Sequence, residues 1–547
     1  MVSWLYNLST DRACRAGAVW RAYLASILGV VLLVYAVGPT VTTIYSGDTL
    51  YHLGVGHRLW EGYRPCSDFH LGHGPLTFWL VSLGISAAGV SIEALWIAQM
   101  IAIVFFGTLC FWVCSRRLPL FWTTLVTLTS TSLLCVPSPL GEKLWRSFGY
   151  AMLYNKISYV LFGTLVVSVL VPLRTDKNRS RIVSGLLDGT VLALLAATKL
   201  SFAVAALGLY VLAKLLWVQR DEDHRSECVW ATASACFVFF TVLAACHCSL
   251  GAYAEATVVF KKAWDVPLVL LLGRYLQFTN MIFYILVVLL LVYGIGFQKS
   301  GGMRSLIRNA VLCTTAVGGF LVVTASCGQS YDVLPLLGVV PLSAILCLRR
   351  RMPTDERDAF ALSVAIFATI LLFGTFIKDA ALGTLCMLKN PPTLTQSLAS
   401  ARQSQRRESA AEQFDDERVS KCFRYIKDQE LKDDILAALS LLQRCGCVDG
   451  DVLYVCTAVD CVTMFSNCRY PRGARGVYAV HLCLTSAVEA ALPTLYGGDI
   501  LADTKWILRH EDQDQIWERL ERGKGEYLAG HFIQVGKQGR WTLYRRR

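Results

Sequence analysis

The chain is written in long apolar runs separated by short polar breaks. Such runs lie at 22–38, 92–114, 118–136, 157–173, 182–198, 201–217, 228–248, 278–297, 309–325, 333–348 and 359–377. Each is close to the ~20 residues that carry an α-helix across a bilayer, so the pattern predicts about eleven transmembrane helices. One more run, at 76–90, is apolar but short. A stretch of that length is the mark of an interfacial or re-entrant helix rather than a crossing. From residue 389 the pattern changes. Residues 389–420 read as a polar linker running into a helix, and 421–547 alternate helix-like stretches (433–443, 486–495, 511–522) with strand-like ones (451–456, 506–508, 531–535, 541–545). The expected fold is therefore a polytopic α-helical membrane domain over 1–388, followed by a small α/β domain.

Composition agrees with this division. Hydrophobic residues make up 54% of the chain and charged residues 17%, with a mean hydropathy of +0.47. A soluble domain carries about 25% charged residues. The net charge of +12 is not a nucleic-acid footprint, because the basic residues fall in short blocks between apolar runs, with no stripe of interleaved aromatics. Those blocks set the topology. Arg116-Arg117, Arg174 to Arg181, Arg220 with Arg225, Lys299 to Arg308, and Arg349-Arg350-Arg351 with Arg357 all fall on one side if the N-terminus is cytoplasmic and 76–90 does not cross. An odd number of crossings then makes the C-terminal domain extracytoplasmic. The apolar run near the N-terminus follows Arg12, Arg15 and Arg21 and lacks a small-residue cleavage site, so it reads as a retained helix rather than a removed signal. Among the 20 cysteines, Cys110, Cys114, Cys236, Cys313 and Cys347 sit inside apolar runs, as small hydrophobes do. The tail adds Cys422, Cys445, Cys447, Cys456, Cys461, Cys468 and Cys483, without the paired spacing of a zinc ribbon. Some of these pair if the tail faces an oxidising compartment, in partnerships that spacing leaves open.

The candidate chemistry is concentrated in the first outer loop, 39–91. It reads Ser46-Gly47-Asp48-Thr49-Leu50-Tyr51-His52, then Gly62-Tyr63-Arg64-Pro65-Cys66-Ser67-Asp68-Phe69-His70-Leu71-Gly72-His73-Gly74-Pro75-Leu76. Ionisable groups at a bilayer face need partners or a wet cavity, which makes such a loop the first place to look for a site. Asp48 after the first helix, Gly62-Tyr63, Asp68-Phe69 and His73-Gly74-Pro75-Leu76 leading into an apolar helix resemble the first outer loop of GT-C-fold glycosyltransferases. These enzymes use polyprenyl-phosphate-linked sugars and include protein O-mannosyltransferases and the aminoarabinose transferase of lipid A. The resemblance extends to the layout: many spans, a large first outer loop holding a juxtamembrane helix at 76–90, and an outer C-terminal domain.

The resemblance implies transfer of a sugar from a polyprenyl-phosphate donor to a hydroxyl of a glycan, lipid or protein. Asp48 is then the expected base. Lys156, Lys199 and Arg274 are the expected cations for the leaving phosphate, and Tyr63, Asp68, His70 and His73 the expected substrate-binding residues. A divalent metal would find ligands in Asp48, His52 and His73, or in His70. For each lysine the plain alternative is snorkelling to the headgroups, and for the loop as a whole it is a solvated connection. A transporter or flippase, and a noncatalytic envelope assembly protein, are the competing functions. A transporter would carry its ionisable residues in mid-membrane on broken helices.

Overall fold

In a computed structural model of the protein, the described residues are 16–39, 46–69, 71, 73–135, 138–139, 148–149, 153–171, 173, 178–218, 223–263, 414–426, 428–457, 459–471 and 501–547. The four spans expected between 278 and 377, the helix expected at 486–495, and the candidate residues His70 and Arg274 lie outside them.

The N-terminal part is helical. Its elements are α1 (Ala16–Val37), α2 (Ser46–Trp60), α3 (Leu76–Ala88), α4 (Ile92–Ser115), α5 (Leu120–Cys135), α6 (Leu153–Leu170), α7 (Asn178–Thr198), α8 (Leu200–Val218), α9 (Asp223–Ala245) and α10 (Leu250–Ala263). Among the described residues, five stretches are long and apolar enough to cross a membrane: Gly17–Ala36, Ile92–Ser115, Leu153–Leu170, Arg179–Thr198 and Arg225–Ala245. This is the build of an integral membrane protein. α6 is buried on all sides, whereas α1 and α9 turn Leu28, Leu32, Val229, Phe237 and Phe240 outward. An apolar exterior of this kind is what a helix shows to lipid.

The short run at 76–90 folds as a helix. α3 has 13 residues. At a rise of 1.5 Å per residue it is about 20 Å long, short of the ~30 Å hydrocarbon core. Pro75 sits at its start, where a missing N–H costs nothing, and Gly89 ends it with a φ of 72°. α2 and α3 pack on each other and α3 packs on α4, so the described residues between 46 and 91 form a helical layer rather than a loose connection.

One feature of the helical part was not expected from the loop charges. Arg117, in the turn between α4 and α5, reaches into the bundle. It lies 3.7 Å from Asp188 of α7 and 3.7 Å from Glu227 of α9, and Lys214 of α8 lies 2.8 Å from Glu227. Arg117 also donates to the Val171 carbonyl (2.7 Å) and the Ser184 hydroxyl (2.6 Å), and the Ser168 hydroxyl donates to Asp188. Two acids thus face two bases, all well shielded from solvent, so the desolvation of each charge is offset by an opposite neighbour. The helices that carry this network touch closely. A Cβ at Gly189 of α7 would stand 2.0 Å from the Ala231 carbonyl oxygen of α9, so only glycine permits the approach.

The C-terminal part comprises α11 (Phe414–Phe423), α12 (Gln429–Arg444), β1 (Leu453–Cys456), β2 (Trp506–His510), α13 (Asp514–His531), β3 (Phe532–Gln538) and β4 (Trp541–Arg546). Its four strands form a sheet in the order β1-β2-β4-β3, with β1 parallel to β2 and the remaining pairs antiparallel. The helix expected at 433–443 begins earlier because Asp428 caps it, its carboxylate accepting the Leu431 N–H at 3.1 Å. Trp506, buried at the start of β2, donates its indole N–H to Asp451 at 2.8 Å.

This part docks on the far end of α2. Arg58 pairs with Asp460 at 3.4 Å and lies 4.0 Å from the centre of the Tyr470 ring. The Tyr63 hydroxyl donates to the Tyr470 carbonyl at 2.9 Å, and His57 Nδ1 is 3.2 Å from the Tyr470 hydroxyl. Burial, reinforced by the charges of Arg418 and Arg58, lowers the His57 pKa to about 4, so its contact with Tyr470 is a neutral hydrogen bond at neutral pH.

Candidate functional site

The site grows from the start of α2. Asp48 stands in that helix's first turn, half-buried, where the helix dipole favours a negative charge. Among the described residues no hydrogen bond or ion pair holds its carboxylate. One turn on, His52 is 1% exposed and its Nδ1 bonds the Asp48 carbonyl at 2.8 Å. That carbonyl accepts, so Nδ1 carries the proton and Nε2 is left as an acceptor. Nε2 is buried and has no hydrogen-bond partner among the described residues. Burial holds His52 below the usual histidine range, opposed in part by the Asp48 carbonyl and charge.

Three other segments meet this turn. His73 lies on the Tyr154 ring, with centroids 3.9 Å apart, and His52 faces the same ring at 5.7 Å in a nearly parallel plane. Tyr154 opens α6 with Asn155 and Lys156. Asn155 Oδ1 accepts a 2.8 Å hydrogen bond from the Lys199 ammonium, which also lies 5.5 Å from the Tyr154 ring centre. Lys199 occupies the single-residue break between α7 and α8, so its side chain is fixed by two helices at once. Lys156 is buried in the first turn of α6. His73 is held well below its ordinary pKa by loss of solvent, then by the charge of Lys199 and the proximity of His52. Both imidazoles are therefore neutral beside a fixed cation.

The loop is held to the bundle by backbone. Gly74 N–H donates to the Thr198 carbonyl at 2.9 Å, and a Cβ at Gly74 would stand 2.0 Å from the Ala197 carbonyl oxygen. Tyr253 of α10 supports the same turn, its hydroxyl donating to the Ala196 carbonyl. We expect Gly74→Ala to push the His73 loop off the α7 end, at a cost of about 1–3 kcal/mol. Limited proteolysis of the 60–75 segment should accelerate while the C-terminal sheet stays intact; unchanged cleavage would show that the loop tolerates the methyl group.

Of the residues expected from sequence, His52, His73 and Lys199 thus meet at the Tyr154 ring, Asp48 stands one turn before His52, and Lys156 follows Asn155 in the first turn of α6. Two others have different surroundings. Asp68 accepts the Arg64 N–H at 2.8 Å and closes its own turn. Tyr63 is 7% exposed and is committed to Tyr470 of the C-terminal part. Tyr154 and Asn155 carry more of the site than the sequence indicated, the first as a stacking platform and the second as the partner of Lys199. As for a metal, the described residues include no group of three His, Cys, Asp or Glu side chains placed to hold one. His70, the further ligand expected from sequence, lies outside the described residues.

No family model matches the chain, and no curated protein matches it. Solved structures similar to it include ArnT from Cupriavidus metallidurans bound to undecaprenyl phosphate, at 10% identity and a TM-score of 0.42, covering 95% of this chain and 97% of that one. An oligosaccharyltransferase from Archaeoglobus fulgidus is similar at 11% identity and a TM-score of 0.37, covering 96% of this chain and 74% of that one.

Proposed function

We propose that the protein is a membrane glycosyltransferase that moves a sugar from a polyprenyl-phosphate donor to an acceptor hydroxyl at the outer membrane face. The observation that carries this reading is a continuous set of contacts from the Asp48 residue, through its backbone carbonyl, to a buried cation. It runs from Asp48 through His52 and the Tyr154 platform to the Lys199–Asn155 pair. The reaction needs those two charges. The acceptor oxygen attacks the anomeric carbon, its proton passes to the Asp48 carboxylate, and the bond to the phosphate oxygen breaks. The polyprenyl phosphate departs with an added negative charge, which Lys199 stabilises. Lys156 and Arg274 are the further cations of this proposal. His52 Nε2 and His73 supply neutral hydrogen-bonding edges to the sugar or phosphate, and Tyr154 a flat face. Neutral imidazoles suit this task, because each neutral ring carries one donor and one acceptor nitrogen.

The acceptor is a hydroxyl of a glycan, lipid or protein, and the C-terminal part, anchored on α2 through Arg58 and Tyr63, is the expected place for its selection. In this reading the N-terminus is cytoplasmic and the C-terminal domain extracytoplasmic, as the charge pattern of the loops implies. The competing transporter reading has one observation in its favour: the charge network of Arg117, Asp188, Lys214 and Glu227 inside the bundle. Its charges are already matched in pairs, which favours a structural lock.

Lipid-phosphate binding tests the cation assignment. Lys199→Met keeps the stem and removes the charge. A charge-assisted hydrogen bond contributes about 1.5–3 kcal/mol, so the affinity for a polyprenyl phosphate in detergent should fall roughly 10- to 150-fold. Lys199→Arg should recover part of it. Equal affinity in wild type and Lys199→Met would remove Lys199 from the phosphate site.

A further inference from the structure

We propose that Cys447 and Cys468 form a disulfide that staples the docking loop of the C-terminal part. Their Sγ atoms lie 3.2 Å apart. Cys447 follows the end of α12, held by its N–H to the Leu442 carbonyl at 3.0 Å, and Cys468 lies at the other end of the segment that carries Asp460. Backbone bonds already hold the two ends together. Gly450 donates to Asn467 (2.9 Å), Arg469 to Asp451 (2.8 Å) and Leu453 to Arg469 (3.0 Å). The two thiols therefore meet because the chain on both sides is in register, with their sulfurs about 1 Å beyond bonding distance.

A pair of thiols in the helical part and a zinc site fit less well. Cys110 and Cys114 approach to 4.0 Å, but they are one turn apart on a helix long and apolar enough to cross a membrane. A zinc site would need further ligands, and no third His, Cys, Asp or Glu joins Cys447 and Cys468 among the described residues. A hydrogen bond from Cys447 lowers the Cys468 thiol pKa, which favours the thiolate that begins exchange. The oxidant is an external disulfide. The Cys468 thiolate attacks one of its sulfurs and expels a thiolate, and Cys447, losing its proton, then displaces the second from the mixed disulfide. One protein disulfide forms as one external disulfide is reduced to two thiols. This requires an oxidising compartment and so rests on the outward orientation expected for the C-terminal part.

The bridge has a structural consequence. Asp460, the partner of Arg58, and Phe465, a buried core residue, lie within the closed segment, and Tyr470 lies just beyond it. The staple would fix the face that grips α2 while leaving the rest of the sheet unconstrained.

The test uses the full chain in its own membranes, prepared without reductant and blocked with N-ethylmaleimide at lysis. Combined cleavage before aspartate and after arginine separates 445–448 from 460–469. The expected product is these two peptides joined, with fragment masses placing the bond between Cys447 and Cys468, and separating on reduction. Cys447→Ser should leave one new maleimide-reactive thiol, at Cys468. Maleimide on both Cys447 and Cys468 in the unreduced wild type, or a bond from Cys447 to Cys461 or any other cysteine, would overturn the proposal.

Discussion

Asp48→Asn is expected to lower the rate of sugar transfer by about 10²–10⁴-fold, the usual contribution of a positioned general base. Asparagine has the shape of aspartate and can still occupy the first turn of α2, so folding should survive. The proton acceptor for the attacking hydroxyl is lost, and so is the charge opposite the developing positive character at the anomeric carbon. Single-turnover assays at saturating donor separate this from a binding defect. Asp68→Asn is the control within the same loop. Its carboxylate closes a local turn on Arg64, and its loss should leave the chemical step within a few-fold of wild type. Equal loss in both variants would mean that the loop as a whole, and not Asp48, sets the rate.

Glu227→Gln should be the most destabilising single change in the helical part. Glu227 lies against Lys214 at 2.8 Å and Arg117 at 3.7 Å, and is almost wholly buried. Removing its charge leaves two cations facing Asp188 alone. Breaking a buried pair by taking one partner typically costs about 3–5 kcal/mol. The readout is thermal unfolding in detergent, followed by retention of the monodisperse species. The double change Glu227→Gln with Lys214→Met restores the charge balance and should recover a substantial part of the loss. A double variant as unstable as the sum of the two single changes would show that the pair is not coupled.

The contrast between those two regions shows what the sequence made legible. Lengths of apolar runs were enough for α4 and α5, whose limits lie within two residues of the expected 92–114 and 118–136. The reading of 76–90 as a non-crossing helix came from the charges of the later loops together with its length, and the structure shows it as a 13-residue helix. α6 was misplaced by four residues at its start. Tyr154, Asn155 and Lys156 are polar or amphipathic, so a hydropathy reading leaves them in the loop, whereas in the fold they are the first turn of the helix. That shift is what turns Tyr154 into a platform for His73.

The site was legible to the extent that its residues announce themselves locally. Asp48 follows a span, and Lys199 interrupts two apolar runs where an ammonium is costly without a function or a partner. Asn155 as its partner is a contact across 44 positions, and nothing in the local pattern specifies it. Tyr63 shows the same limit from the other side. Its sequence neighbourhood says nothing of Tyr470, 407 positions away, whose carbonyl accepts its hydroxyl. Arg117 was correctly assigned to a basic turn by the charge pattern. Its pairing with Asp188 and Glu227 depends on helix packing, and the small residue that allows it, Gly189, looks in sequence like any other glycine of an apolar run.

The central claim is that this protein breaks the bond between a sugar and a polyprenyl phosphate. The direct measurement is to incubate the purified full chain, reconstituted with lipid, with polyprenyl-phosphate donors labelled in both the sugar and the lipid. Sugar label should move to a glycan, lipid or protein acceptor as one equivalent of free polyprenyl phosphate appears, with Asp48→Asn slowing both together. Donors recovered intact across the panel, with the protein instead moving labelled lipid or solute across the bilayer, would contradict the account.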